Sequence, residues 1–251
     1  MKKSLLLLLT GSFLTLSAFA QKPVTLRANP PIGKIIQMDM GLKTDVDGPQ
    51  SIIMDMKMKM EVNPKELAEE QITLETTARS IKAQINAGMM TLDYDSEKEQ
   101  TDEMGKMLAQ QFASILNKTI ISTMTTRGKV IDVVLPDNIG QQIDKNSFTN
   151  ISTTFPETPV KIGDSWESEV ESGELFAKII TTSTFKEETS EGYKIDISAK
   201  VLNEASEQIG STLGYYLIDK ESNMTKKAQL TTAVQVEDNK VITEINITNT
   251  L

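Results

Sequence analysis

Ile52-Ile-Met-Asp-Met-Lys-Met-Lys-Met-Glu-Val62 alternates strictly from Met54 onward, with Met54, Met56, Met58 and Met60 on one side and Asp55, Lys57, Lys59 and Glu61 on the other. Successive side chains of a strand point to opposite faces, so this period of two marks a half-buried strand and not a helix. Upstream, Ile36, Met38, Met40 and Leu42 alternate with Gln37, Asp39, Gly41 and Lys43, and Asp47-Gly48 lies between the two runs. An Asp-Gly pair tolerates positive φ, so the two runs predict a β-hairpin from Gly33 to Val62. Asn63-Pro64 is expected to stop the return strand, Asn63 as a cap and Pro64 opening a short helical turn through Glu70.

Downstream the same pattern recurs. Period-two runs cover Ile72–Ile85 and Gly88–Tyr94, and strands resume at Ile120–Thr126 and Val130–Leu135 across the Arg127-Gly128 turn. Between them, Thr101–Lys118 has helical spacing: Met104, Met107, Leu108, Phe112, Ile115 and Leu116 form a stripe, with Asp102 and Glu103 suited to the N-terminal end of the dipole and Lys118 to the other. Pro136 closes this half, and Asp137–Asn150 reads as a short helix or loop. Phe155–Trp166, with Pro156 and Pro159, is an extended connector that neither a helix nor a central strand accommodates. Beyond it, Phe185 leads through a turn at Gly192 to Tyr193, Ile195, Ile197, Ala199 and Val201, in the phase of the methionine strand. Gly214-Tyr-Tyr-Leu-Ile-Asp219 echoes Gly88-Met-Met-Thr-Leu-Asp93, and Lys240-Val-Ile in the last hairpin echoes Lys129-Val-Ile.

The expected fold is mainly β: two related antiparallel β-meanders forming a strongly curved sheet, a half-barrel or a sandwich. One amphipathic helix, 101–118, covers a sheet face or plugs an opening, with Met104 and Phe112 facing inward. The expected divisions are a leader at 1–20, a first half at 21–150, the connector at 151–166 and a second half at 167–251.

Residues 1–20 themselves carry the marks of a cleavable secretory signal: Lys2-Lys3, an apolar run from Leu5, and Ala18-Phe19-Ala20 before Gln21. Gln21 is not Cys, so a lipid-anchored form is not expected, and no later apolar run is long enough for a membrane-spanning helix. The expected location is the periplasm or the exterior, in soluble form. The formal charge of −9 becomes more negative by two when Lys2 and Lys3 are removed. An acidic chain without a basic block does not suit nucleic acid or anionic lipid surfaces.

The chain contains neither His nor Cys. Ser-His-Asp and Cys-His catalysis and thiolate or imidazole metal sites are therefore out of reach, and no cofactor is expected. Paired-carboxylate hydrolysis stays formally open, but the acids fall mostly on polar strand faces and in turns. Ser80-Ile-Lys82 and Ser96-Glu-Lys98 have the wrong spacing for a Ser/Lys nucleophile. Threonine pairs such as Thr181-Thr182 and Thr231-Thr232 read as exposed strand filler. Trp166 reads as an anchor for the connector, with Asp164 capping its turn.

Three uses of the methionines compete. They line an ordinary core; or, unbranched and polarisable, they form a soft apolar surface for a greasy ligand; or they bind Cu(I) through thioethers. Sulfurs two residues apart on one strand are about 7 Å apart, so the last use needs ligands from a second strand. The candidate ligand-binding residues are Met38, Met40, Met54, Met56, Met58, Met60, Met104 and Phe112.

The connector Pro156-x-x-Pro159-Val160-x-x-Gly163-Asp164-Ser165-Trp166, with Leu135-Pro136 ending a strand and Gly214–Tyr216 opening another, resembles the signature of an uncharacterised family of exported bacterial β-rich proteins. More distantly, the two-meander plan is similar to half-barrel envelope proteins that hold lipid or lipoprotein acyl chains. The expected function, from the methionine run, the leader and the repeated plan, is non-catalytic binding of an apolar or amphipathic, lipid-like ligand in the envelope on the concave, methionine-rich face. The alternatives are a structural protein with a filled core and a protein partner in the envelope, and then a carboxylate-based hydrolase.

Overall fold

The computed structural model describes residues 22–49, 51–136, 154–171 and 177–251; the expected leader and the stretch 137–150 lie outside them. In chain order the elements are β1 (Ile36–Asp47), β2 (Ile52–Ala68), β3 (Gln71–Ala87), β4 (Met90–Asp95), α1 (Glu103–Phe112), β5 (Thr119–Thr125) and β6 (Val130–Val134). Then follow β7 (Ser165–Glu171), β8 (Lys178–Glu188), β9 (Tyr193–Leu202), β10 (Gln208–Ile218), β11 (Thr225–Val236) and β12 (Asn239–Thr250). The strands form one sheet in the order β6-β5-β3-β2-β1-β12-β11-β10-β9-β8-β7, with β4 beside the outer half of β3. Every strand pairing is antiparallel. Of the expected forms, this is the curved single sheet and not a sandwich. Among the described residues it does not close, and β6 and β7 stand at its two ends.

The curvature follows from two consecutive residues. Ala28 N–H donates to Thr126 O and Asn29 N–H to Ser222 O, each at 2.7 Å. Thr126 follows β5, and Ser222 lies between β10 and β11, five strand spacings away and so about 24 Å apart in a flat sheet. Neighbouring residues bridge only about 10 Å, so the sheet must curl around the segment that precedes β1. That segment is a strap across one end. Val24 pairs with Val160 of the connector, and Arg27 donates to the carbonyls of Pro156 and Glu157, both at 2.8 Å. Leu26, Ile36, Ile72, Phe185, Ile195 and Ile218, all buried to 1 % exposure or less, fill the space beneath it.

Two glycines make room for the bend. At Gly214 of β10 a Cβ would overlap Gln229 O of β11 and lie 2.9 Å from Gln229 C and Leu230 Cα. At Gly210 it would lie 2.9 Å from Val234 Cα. Both pair with inward-facing residues, Leu230 and Val234. On the concave side of a sharp bend the neighbouring backbone occupies the place of an inward Cβ, so glycine is needed there.

Three expectations are corrected. Pro64 does not stop β2, which runs to Ala68 with an irregularity between Pro64 and Glu66. Pro64 O accepts from Gly33 N–H at 2.7 Å, on the side where the ladder to β1 has already ended at Val62, so its missing N–H removes no ladder bond. Gly48 is not at positive φ; its neighbour is the Asn239 side chain, which a Cβ would push aside. The helix covers 103–112 and not 101–118: Asp102 Oδ1 caps Gly105 N–H at 2.7 Å, and Asn117, at φ 58°, turns the chain back so that its N–H reaches Ala78 O. The connector lies outside helix and central strand as expected and leads into the edge strand β7, which alternates Trp166, Ser168 and Val170 with Glu167, Glu169 and Glu171.

Candidate functional site

Register places the methionines. Met38 lies opposite Met60, Met40 opposite Met58, Leu42 opposite Met56 and Thr44 opposite Met54, so all six share the inner face of β1 and β2. The rungs continue across β12, where Asn249, Ile247, Ile245 and Thr243 face Met38, Met40, Leu42 and Thr44. Every one of the six methionines is half-buried. Met38 and Met40 rest against the main core, Met56 and Met58 against a second cluster of Ile81, Ala83, Tyr94 and Leu108. The polar residues of the same strands lie outside, where Arg79 pairs with Glu61 at 2.7 Å and holds that carboxyl below its usual range.

Helix α1 packs on the same inner face. Phe112 stacks on Tyr94 with ring centroids 5.0 Å apart, and burial pushes the Tyr94 phenol up, with the Asp95 carboxylate adding to it. Leu108 is buried, but Met104 and Met107 are exposed at 36 % and 43 %. The inward stripe therefore contains Leu108 and Phe112 and lacks Met104, which stays exposed in the first turn. Met104 is not brought to the site.

Sequence reasoning missed a row of threonines. Thr44, Thr243, Thr232 and Thr212 succeed one another at one level across β1, β12, β11 and β10, and Thr181 on β8 lies at the same level through Ala199. Their hydroxyls pair, Thr212 with Thr232 at 2.8 Å and Thr44 with Thr243 at 3.5 Å. Thr181 and Thr232 are half-buried on the inner face, not exposed filler. The missed signal was the phase of each threonine with its inward neighbours two residues away, Ile179 and Ser183 or Leu230 and Val234. Beyond the threonines, Val46, Val241 and Val234 form a last apolar level, and the rim nearby exposes Ile52, Met89 and Met90.

The inner face thus runs from the strap, through methionine and aliphatic levels, past a hydroxyl level, to an apolar rim. No charged side chain belongs to these rungs. Among the described residues no three His, Cys, Asp or Glu side chains gather as a metal site, and no helix is long and apolar enough to cross a membrane. Trp166 anchors the connector, its Nε1–H donating to Thr154 O at 2.7 Å, and Asp164 Oδ2 accepts from Lys161 N–H at 2.8 Å.

No curated protein matches the chain. Among solved structures, lipovitellin, in a study of its lipid–protein interactions, matches with a TM-score of 0.59 at 10% identity, over 88% of this chain and 25% of its own. The likeness is one of fold, and this chain spans a quarter of that one. A DUF1329 family protein from Desulfovibrio piger matches over 84% of this chain and 85% of its own at 8% identity, with a TM-score of 0.32. An outer membrane channel from Pseudomonas putida F1 matches over 91% and 99% at 6% identity, with a TM-score of 0.25. Neither of these scores defines a shared fold. A family profile matches the sequence twice, at residues 69–144 and 133–240, in keeping with the internal repeat, and the chain belongs to that family, DUF6263, a family of unknown function.

Proposed function

We propose that this is an exported, non-catalytic carrier that holds an apolar or amphipathic ligand against the inner face of its curved sheet. The observation that carries the reading is the half-burial of an uncharged face that is plugged by the strap at one end and reaches exposed Ile52, Met89 and Met90 at the other. A face meant only as core is sealed on all sides, whereas a carrier keeps apolar surface within reach of its cargo. Unbranched methionines suit this use because they adapt to chains of irregular shape. The threonine level gives an amphipathic cargo hydroxyls to bond without presenting a charge. The fold shared with lipovitellin, a protein studied for its lipid–protein interactions, supports the same reading. The absence of His and Cys from the sequence is consistent with a role without catalysis.

The test is mass spectrometry of an organic-solvent extract from protein purified without detergent from its native host. The expected result is a stoichiometric lipid-like molecule, retained by the parent and lost from Met56→Asp, which places a charge beside Leu42 and Ala83. Met90→Lys at the exposed rim, where folding is not at stake, should slow uptake. A folded parent that yields an empty extract, and takes up no fluorescent fatty acid when offered one, overturns the proposal.

A further inference from the structure

We infer that Met38, Met40, Met58 and Met60 form a thioether site for a soft monovalent cation, Cu(I) in the first instance. Along one strand, the sulfurs of an M-x-M pair are too widely spaced to share an ion. The register removes that obstacle, because the Met38-x-Met40 pair of β1 lies directly against the Met58-x-Met60 pair of β2, Met38 on Met60 and Met40 on Met58. Opposed Cβ atoms are about 5 Å apart and successive ones about 7 Å, so the four stand at the corners of a rectangle whose centre is about 4 Å from each. The sulfur lies two bonds beyond Cβ on an unbranched side chain, and Met38 and Met40 rest on the main core while Met58 rests on the second cluster, so a single ion is met when three or four thioethers turn from these contacts toward the centre.

The donor set decides the class of metal. These rungs offer neutral sulfur and no carboxylate, imidazole or thiolate, and such thioether donors select Cu(I) over zinc, calcium or Cu(II). A second observation comes from the neighbouring strand. Asn249 faces Met38 in the same rung; its Nδ2 donates to Thr225 O at 2.7 Å, while its Oδ1 is buried and accepts no hydrogen bond. A buried amide oxygen without a donor is costly, and it belongs to the residue directly opposite Met38, next to the thioether block, where a cation would compensate it. The register irregularity between Lys59 and Met60 falls at the edge of the same block, a place where a bulge re-aims a side chain.

This site does not depend on the carrier reading, and leucine substitution separates the two: it keeps the apolar lining and its volume but removes the sulfur. The experiment is an anaerobic titration of the purified chain, without its leader, with Cu(I) in competition with bicinchoninate. The parent is expected to withdraw one equivalent. Met38→Leu/Met58→Leu should weaken binding at least a hundredfold with an unchanged metal-free melting curve, and Met89→Leu/Met90→Leu at the rim should bind as the parent does. X-ray absorption on the loaded parent should show a shell of sulfur, a readout that needs no variant. Failure to compete with the chelator, a shell of nitrogen or oxygen alone, or a Met38→Leu/Met58→Leu variant that binds as tightly as the parent, overturns the inference. Retention of the apolar cargo by that variant bears only on the carrier reading.

Discussion

Replacing Gly214 by alanine tests whether the bend between β10 and β11 shapes the whole sheet. The added Cβ would overlap Gln229 O and stand 2.9 Å from both Gln229 C and Leu230 Cα. Ordinary contact lies between 3.4 and 4 Å, so β11 must retreat by at least half an ångström, and the obstacle is backbone and cannot rotate aside. Forcing one extra carbon into a packed interior costs about 1–3 kcal/mol, and the upper end applies here because the ladder between β10 and β11 is strained together with the clash. For a chain of this size about 3 kcal/mol lowers Tm by roughly 6–12 °C. Gly41 supplies the control. It also sits mid-strand, in β1, but a Cβ there meets only Asn246 Cβ at 3.9 Å and its carbonyl oxygen at 4.0 Å. Gly41→Ala should be neutral or stabilise by about 0.5–1 kcal/mol, through loss of backbone freedom in the unfolded chain. Thermal melts by circular dichroism, with urea midpoints as a second measure, decide it. If Gly214→Ala melts within 2 °C of the parent, or if Gly41→Ala costs as much, the argument from close approach is wrong.

Two other perturbations address separate parts of the fold. Phe112→Ala removes the ring stacked on Tyr94 and should cost about 2 kcal/mol, below the range for a fully buried ring because Phe112 is half-buried. The Tyr94 phenol, raised by burial, should then titrate closer to the ordinary 10.0, and an unchanged phenolate titration would refute the packing of α1 over the sheet. Burial alone would raise the Asp219 carboxyl, but the hydrogen bonds it accepts from the Ser222 backbone and hydroxyl and from Glu221 N–H outweigh that and leave it below the usual 3.8. A depressed carboxyl adds stability that is complete above the unfolded value and disappears as pH falls below 3.8 through the folded value. Asp219→Asn should therefore be less stable than the parent at pH 6, with the gap narrowing as pH falls below 3.8; urea midpoints that differ equally at both ends would contradict it.

How much of this was readable in the sequence depends on the range of the interaction. The alternation in Met54–Met60 and the loops at Asp47-Gly48, Arg127-Gly128 and Gly192 are local, and the strands appear where those residues put them. Pro64 reads as a strand stop because its tolerance depends on β1 beginning only at Ile36, a fact of pairing that no residue near Pro64 carries. The stripe of α1 was drawn too long because Ile115 and Leu116 keep helical spacing while packing from a turn closed by Asn117. The threonine level escaped notice because each member is unremarkable in its own strand. It exists only once six strands, β1, β12, β11, β10, β9 and β8, are set in register. The candidate methionines were legible as a face, whereas the direct opposition of Met38 to Met60 and Met40 to Met58 needed the hairpin register.

The adjacency of β1 and β12 has a kinetic consequence. Thr44 and Thr243, which share a hydroxyl contact across that ladder, are 199 positions apart in the chain. A central seam of this kind raises the average sequence separation of contacts, and loop closure over such a distance must precede any reward. While the chain is being made, the β12-facing edge of β1 stays unpaired until Asn239–Thr250 has emerged. Premature completion of the β1 ladder is therefore ruled out by connectivity. Refolding from urea should accordingly be slow, and a version lacking β12 should expose the β1 edge and self-associate through it.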